Sequence, residues 1–223
     1  RLIAACGGAE PVMRPDLTLV LTYYDAPRML ERHLEEFAHY PPGVILSLCD
    51  DGSAVPPPLD GCPIPYVHRR LEPDGTPWRQ DAARNAAMTG CAGLCMVTDI
   101  DHVLTADSAT AAIERRHAPA RAYRPRRVWP DGREHKRHPN SYLIDAADYW
   151  RTGGYDERLC GWYGTDGRWQ RQLARAGVEV CDAEDVTLTL FEGIIDDAIA
   201  DLPRKGSPLH AARSDFARAI LRD

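Results

Sequence analysis

Two short apolar runs, Leu17 to Thr22 and Val44 to Cys49, flank a segment of helical spacing, and this arrangement constrains the fold more than any other feature. Leu30, Leu34, Phe37 and Ala38 recur at the spacing of one helix face. Pro27 suits the first helical position, and Pro41-Pro42-Gly43 stops the helix. Strand, helix and strand in that order close as a right-handed parallel unit, and both runs are apolar enough for the centre of a parallel sheet. Such sheets bind ligands at the carboxyl ends of their strands. There the first run meets Tyr23-Tyr24-Asp25, and the second meets Asp50-Asp51-Gly52-Ser53.

A third strand, Leu94 to Thr98, runs into Asp99-Ile100-Asp101. Strand side chains alternate faces, so the two carboxylates are expected to point the same way and repel. A divalent cation relieves that repulsion, and hard oxygen ligands suit Mg²⁺ or Mn²⁺. Taken alone, an acidic turn explains the pair equally well. Three acidic strand ends at one edge favour a site.

The remaining pattern predicts a short strand near Ile64 to His68, then a helix over Trp78 to Cys91 carrying Arg79, Arg84 and Asn85. A helix over Ser108 to His117, a strand over Ser141 to Ile144 and a helix over Asp145 to Thr152 follow. A helix from Arg168 to Ala176, strands near Val178 to Cys181 and Val186 to Leu190, and a terminal helix over Leu209 to Leu221 complete it. Residues 1–16 are expected as a loose lead-in.

Charge narrows the function classes. Lys and Arg number 27 against 33 Asp and Glu, a net charge of −6, which opposes a general polyanion binder. Residues 114–138 differ, with nine Lys or Arg against Glu114, Asp131 and Glu134. This segment is expected either as a solvated loop or as a cationic flap over a phosphate-bearing ligand. The seven Cys are scattered and contain no Cys-x-x-Cys pair, which favours reduced thiols in a cytoplasmic protein over a disulfide framework or a zinc site. No apolar run approaches the ~18 residues of a membrane span, and no signal peptide is visible. A Gly-x-Gly-x-x-Gly fingerprint and a Walker loop are both absent, which argues against a nicotinamide enzyme and a P-loop ATPase.

Four segments, Leu17–Asp25, Cys49–Ser53, Met96–Leu104 and Gly153–Leu173, together resemble the GT-A glycosyltransferases, close to the family 2 and galactosyltransferase-like group. The motifs are Asp50-Asp51-Gly52-Ser53, Ala83-Arg84-Asn85 and the Asp-x-Asp of Asp99-Ile100-Asp101. The most specific is Gly153-Gly154-Tyr155-Asp156-Glu157 followed by Gly161-Trp162-Tyr163-Gly164-Thr165-Asp166. The family often has Glu-Asp where this chain has Thr165-Asp166, which leaves Asp166 alone as candidate base.

The resemblance implies an α/β, GT-A (Rossmann-like) fold. A mixed, mainly parallel central sheet is flanked by helices in a single domain over residues 1–223. Residues 1–104 would form the nucleotide-sugar half, and residues 105–223 the acceptor and base half. It further implies a UDP-sugar donor, with Asp25 and Asp50 on the uracil and Tyr23 packed near it. Asp51, Arg84, Asp99 and Trp162 join the donor-binding residues, Trp162 offering a face to a sugar ring. Asp99 and Asp101 would hold Mn²⁺ or Mg²⁺, with His210 as a third ligand and His102 its rival. Asp166 would deprotonate the acceptor hydroxyl in a single, inverting displacement. The plain alternative for Asp166 is a helix-start carboxylate favoured by the dipole, worth ~0.3–1 kcal/mol. A nucleotidyltransferase and a sugar-nucleotide-binding protein without turnover are the rival readings. The acceptor stays open between a glycan, a lipid-linked sugar, a protein and a hydroxylated base in nucleic acid.

Overall fold

The computed structural model describes residues 2–4, 15–76, 79–161 and 166–190. Its strands are β1 (Leu2–Ala4), β2 (Leu17–Tyr23), β3 (Val44–Asp50), β4 (Tyr66–Leu71), β5 (Leu94–Asp99), β6 (His102–Leu104), β7 (Arg121–Val128), β8 (Glu134–His135), β9 (Tyr142–Asp145) and β10 (Glu179–Leu190). The helices are α1 (Pro27–Phe37), α2 (Gln80–Met88), α3 (Ala106–Glu114), α4 (Ala146–Arg151) and α5 (Asp166–Arg175).

These strands form one mixed sheet in the order β1-β4-β3-β2-β5-β9-β7-β10-β6, with β8 on β7. The centre is parallel: β2 lies between β3 and β5, and β3 continues to β4. Antiparallel β9 then turns the sheet from β5 to β7.

Both faces of the central strands are covered, which is why β2 is apolar without alternation. Leu19, Leu21 and Met96 point into one core with Leu30 and Phe37 of α1 and Ala109 of α3. Val20, Cys95 and Val97 point the other way, into a core with Ala83 and Ala87 of α2, Tyr149 of α4 and Trp169 of α5. Each fully buried leucine contributes about 1.5–3 kcal/mol relative to exposure.

Residues Ile100 and Asp101 alone separate the end of β5 from the start of β6, yet four other pairings lie between those strands in the sheet order. A flat sheet would put them ~19 Å apart at ~4.8 Å per strand. Three Cα steps of 3.8 Å reach only ~11 Å. The sheet therefore curls until β6, at its far edge, returns to β5.

Several expectations change. Residues 2–4 are not a loose lead-in but pair antiparallel with residues 69–71. The helix expected from Ser108 starts at Ala106, because Thr105 caps it by accepting from the Ser108 N–H. The two expected C-terminal strands are one, β10, whose register against β7 jumps between Ala183 and Thr187. The residue of β7 at that bulge is Pro125, which has no N–H to offer a ladder.

Residues 114–138 are neither an open loop nor a free cationic flap. They form the end of α3, β7, a turn and β8. Six of their eight arginines face acids: Arg115 pairs with Asp185, Arg121 with Glu179, Arg124 with Asp182 and Arg137 with Glu184. Arg126 pairs with Glu134, and Arg133 with Asp131. No helix among the described residues is long and apolar enough to cross a membrane.

Candidate active site

The carboxyl ends of β2 and β3 are fastened to each other through Ser53. Asp50 is 0% exposed, accepts from the Ser53 N–H at 2.8 Å and hydroxyl at 2.6 Å, and pairs with Arg70. The Ser53 hydroxyl in turn accepts from the Asp25 N–H at 2.9 Å. Asp25 has φ of +39°, a conformation that aspartate tolerates better than most residues. Its half-buried carboxylate accepts from the N–H groups of Ala54 at 3.0 Å and Val55 at 3.4 Å. Tyr23 is buried in the core beneath, whereas its neighbour Tyr24 is 37% exposed. Asp51 accepts from the N–H of Arg79 at 2.6 Å and its Nε at 3.0 Å. Burial pushes the Asp51 carboxyl up to about 6 against the pull of Arg79.

The acidic turn at the end of β5 differs from two like charges on one strand face. The strand ends at Asp99, and Ile100-Asp101 belong to the turn. Arg84, only 1% exposed, directs its guanidinium at Asp99 and at Asp81. His138 Nε2 lies 3.5 Å from the other Asp99 oxygen. Burial alone would raise the Asp99 carboxyl, but Arg84, His138 and His102 hold it well below the usual carboxylate range. Asp101 Oδ1 lies 2.6 Å from Nδ1 of the buried His102, whose ring centroid is 4.3 Å from that of His138. His138 is fixed from behind, with Nδ1 2.9 Å from the Ser141 hydroxyl, which meets Thr98 Oγ1 at 2.7 Å. His33 of α1 donates from Nε2 to the Ile100 carbonyl at 2.9 Å. Burial pushes both His33 and His138 down to about 4.

Asp166 opens α5, half-buried, and accepts from Asn140 Nδ2 at 2.6 Å. The side-chain Oδ1 of Asn140 accepts from the Tyr155 hydroxyl at 3.3 Å. The Tyr155 ring stacks on Trp169, 4.4 Å between centroids, and Arg84 Cζ sits 4.9 Å from the centre of the Tyr155 ring. One chain of contacts thus runs from Asp166 through Asn140, Tyr155 and Arg84 to Asp99. Asn85 anchors its middle. It donates to the Tyr155 carbonyl at 2.9 Å and to Glu157 at 2.8 Å, and accepts from the Tyr155 N–H at 2.9 Å and the Tyr149 hydroxyl at 2.6 Å. A Cβ on Gly154, whose φ is +72°, would lie 2.6 Å from Asn85 Oδ1, so that close approach requires glycine.

The structure thus brings Asp25, Asp50 and Asp51 to one pair of strand ends and ties Asp99, Arg84 and Asp166 into a second group. Trp162 and His210 lie outside the described residues. Asn140, Tyr155 and His138 were not singled out from the sequence. Tyr155 lay inside the Gly-Gly-Tyr-Asp-Glu turn, a usable signal. Asn140 and His138 sit just past a basic run with no spacing that marks them.

Among the described residues no three His, Cys, Asp or Glu side chains converge on one metal position. A cation on a nucleotide diphosphate takes most of its ligands from phosphate and water and needs only one or two carboxylates. Asp101 fits that need: its side chain is 38% exposed, and none of the described residues donates to its Oδ2. Asp99, with Arg84 and His138 on its two oxygens, is placed to orient the turn beside it.

No family model matches the sequence, and no curated protein does. Solved structures of similar fold do exist. The mannosyltransferase PcManGT from Pyrobaculum calidifontis, in complex with GDP-Man and Mn²⁺, aligns with a TM-score of 0.61 at 16% identity over 97% of this chain and 67% of that one. TarS (residues 1–349) of S. aureus aligns at 0.62 with 13% identity over 78% of this chain and 60% of that one. GalNAc-T7, with UDP, GalNAc and Mn²⁺, aligns at 0.57 with 12% identity over 81% of this chain and 44% of that one. These likenesses bear out the expected α/β architecture and do not single out family 2.

Proposed function

Starting from the GT-A fold that the chain shares with these proteins, we propose that it is a metal-dependent glycosyltransferase. In this reading it moves a sugar from a UDP-sugar to an acceptor hydroxyl with inversion. The observation that carries the proposal is the contact chain Asp99–Arg84–Tyr155–Asn140–Asp166, which links the acidic turn to the helix-start carboxylate. The solved complexes of PcManGT with GDP-Man and Mn²⁺ and of GalNAc-T7 with UDP, GalNAc and Mn²⁺ support a nucleotide-sugar donor and a metal.

Asp25, on the rim of the β2 and β3 ends, faces the base of the donor. Asp50, held inside by Arg70 and Ser53, shapes the loop that receives it. Asp101 would hold the cation, and Asp99 fixes the turn. A bound Mn²⁺ or Mg²⁺ would stabilise the charge that develops on the departing diphosphate. Asp166 keeps one oxygen on Asn140 and takes the acceptor proton on the other. The acceptor oxygen then attacks the anomeric carbon as the bond to the diphosphate breaks on the opposite side. Six of the nine cationic side chains of residues 114–138 are paired with acids, which weakens the electrostatic case for a nucleic-acid acceptor relative to a glycan, a lipid-linked sugar or a protein. The test is donor hydrolysis and thermal shift with UDP- and GDP-sugars, with and without Mn²⁺. A metal-dependent shift that is larger for UDP-sugars supports the reading, and no response to any nucleotide sugar overturns it.

A further inference from the structure

The curled sheet has an inside, and the rim of that inside carries side chains that the proposed chemistry does not use. From β5 round to β6, each strand sends a side chain into one core: Met96, Leu143, Tyr123, Leu188 and Leu104. Strand side chains alternate, so positions two apart share a face. Towards the edge that carries the acidic turn, this inner face continues as Thr98 on β5 and His102 on β6. On β7 it continues as Pro125 and Arg127, with Trp129 just beyond the strand. β7 is antiparallel to β9, and β9 to β5, so β7 and β5 end at the same edge. Two bounds fix how near Trp129 comes to the turn. Val128 pairs with Thr189, and Thr189 with Val103, so two strand spacings, about 10 Å, separate the neighbours of Trp129 and His102. His135, which touches Trp129, is three Cα steps, at most ~11 Å, from the His138 that flanks Asp99.

Three groups meet there on a stiff hairpin. The rings of Trp129 and His135 stand edge to face, 5.2 Å between centroids. Arg127 faces His135 across the hairpin and brings Nη1 to 3.2 Å from its Nδ1. The Trp129 N–H donates to the Arg133 carbonyl, and the Trp129 carbonyl accepts from the Gly132 N–H, both at 2.9 Å. Asp131 accepts from the Arg133 N–H at 3.0 Å and from its Nε at 2.6 Å. Arg133 Cζ thereby stands 5.9 Å from the centre of the Trp129 ring. Trp129 is half-buried, which leaves part of the indole to solvent at this rim.

An aromatic face beside a guanidinium and an imidazole suits one chemical class. A pyranose has a face of C–H groups and a rim of hydroxyls. The slightly positive C–H face lies against the negative face of an indole, and the hydroxyls bond to a few placed polar groups. Position along the edge selects the acceptor. In the proposed function the base of the donor lies at the β2 and β3 ends, and its diphosphate lies at the turn after β5. The same direction leads past β9 to the end of β7.

We propose that Trp129, with Arg127 and His135, is the subsite for a sugar ring of the acceptor, so that the acceptor is a saccharide. The indole carries the ring, and Arg127 and His135 hold its hydroxyls. That the ring belongs to an acceptor rests on the proposed function; that a sugar ring binds at Trp129 does not.

Saturation-transfer NMR on the whole protein tests it, with UDP and Mn²⁺ present. The probes are the methyl glycosides of glucose, galactose, mannose and N-acetylglucosamine. At least one should receive saturation, strongest on the C–H groups of one ring face. Trp129→Leu keeps apolar bulk in the hairpin but removes the aromatic face, and should weaken that binding by about tenfold. Trp129→Phe should stay within about threefold of wild type. Should Trp129→Leu fail to fold, the wild-type indole N–H spectrum serves instead. The glycoside should then shift the Trp129 signal, identified by its absence in Trp129→Phe. The octyl glycoside of the best probe separates two sources of the same ring, binding tighter than the methyl form for a lipid-linked sugar and equally for a free glycan. No saturation on any probe, equal affinity in wild type and Trp129→Leu, or an unmoved Trp129 signal overturns the proposal. Donor hydrolysis by the wild type keeps the two conclusions apart. Its absence with Mn²⁺ counts against the proposed function, and the glycoside result stands by itself.

Discussion

Asn140 donates from Nδ2 to Asp166 Oδ1 at 2.6 Å, leaving a single Asp166 oxygen for chemistry. The same amide accepts from Tyr155, so its orientation is fixed from the far side. Asn140→Ala should lower kcat by about tenfold, less than the ~10²–10⁴-fold that a general base itself contributes, and leave the KM for donor unchanged. Asp166→Asn should lose ~10²–10⁴-fold in kcat with donor affinity retained. Steady-state kinetics of both variants, with the anomeric configuration of the product, check the assignment. A retained configuration, or an Asp166→Asn enzyme within a few-fold of wild type, returns Asp166 to a helix-start role.

Asp101 should matter both for ligand and, through His102, for the fold. Asp101→Ala takes the carboxylate away from Nδ1 of the buried His102 and should cost about 1–3 kcal/mol. The same variant should lose the Mn²⁺-dependent thermal shift produced by a nucleotide sugar. Calorimetric titration of UDP with and without Mn²⁺ separates the two effects.

Arg84 and Asp99 should weigh more on the fold. Arg84→Met leaves a largely buried carboxylate without its partner and should cost about 3–5 kcal/mol. Adding Asp99→Asn removes the stranded charge and should recover part of that loss. Urea denaturation of wild type, both singles and the double gives the coupling directly.

Acid should find His33 early. Burial holds its imidazole at about 4, below the ordinary 6.5, with His102 and Asp101 the nearest charged or titratable groups across from α1. A lowered histidine contributes stability that is present in full above pH 6.5 and lost as pH falls through about 4. Asp51 acts the other way. Its share is present below 3.8 and lost as pH rises through about 6. The informative quantity is therefore the difference between wild type and His33→Gln. It should favour wild type most above pH 6.5 and shrink towards pH 4 in a series of melting curves.

The basic segment should bind polyanions weakly. Six of its arginines are already matched to carboxylates. Heparin or single-stranded nucleic acid should show a shallow dependence on salt, where an open cationic face would lose affinity steeply. A steep slope in a filter-binding series would restore the flap reading.

The parallel core was legible because its signal is local. Apolar runs, a proline at a helix start and acids at strand ends all fall within a few residues of one another. What the sequence hid depends on distance along the chain. The partners of Arg121 and Arg124 are Glu179 and Asp182, 58 residues away, so a window over 114–138 counted charge that the sheet neutralises. Asp99 looked like half of a repelling pair because its partner Arg84 stands one helix earlier and His138 stands three strands later. Asn140 carried no local mark, since its role exists only where the chain before β9 meets the start of α5.

The two-residue step from β5 to β6 gives curvature a chemical meaning. Because Ile100 and Asp101 must reach from the middle of the sheet to its returning edge, the gap between Asp99 and Asp101 is set by how tightly the whole sheet rolls. The three extra residues of β10 at 184–186, opposite Pro125, lie on the strand that carries β6, and so act as a set-screw on that gap from outside the cleft. Insertions in the 129–133 turn can be absorbed at the surface. One added residue between β5 and β6 would slacken the roll itself and carry the outer carboxylate off station, although no residue at the site had been replaced.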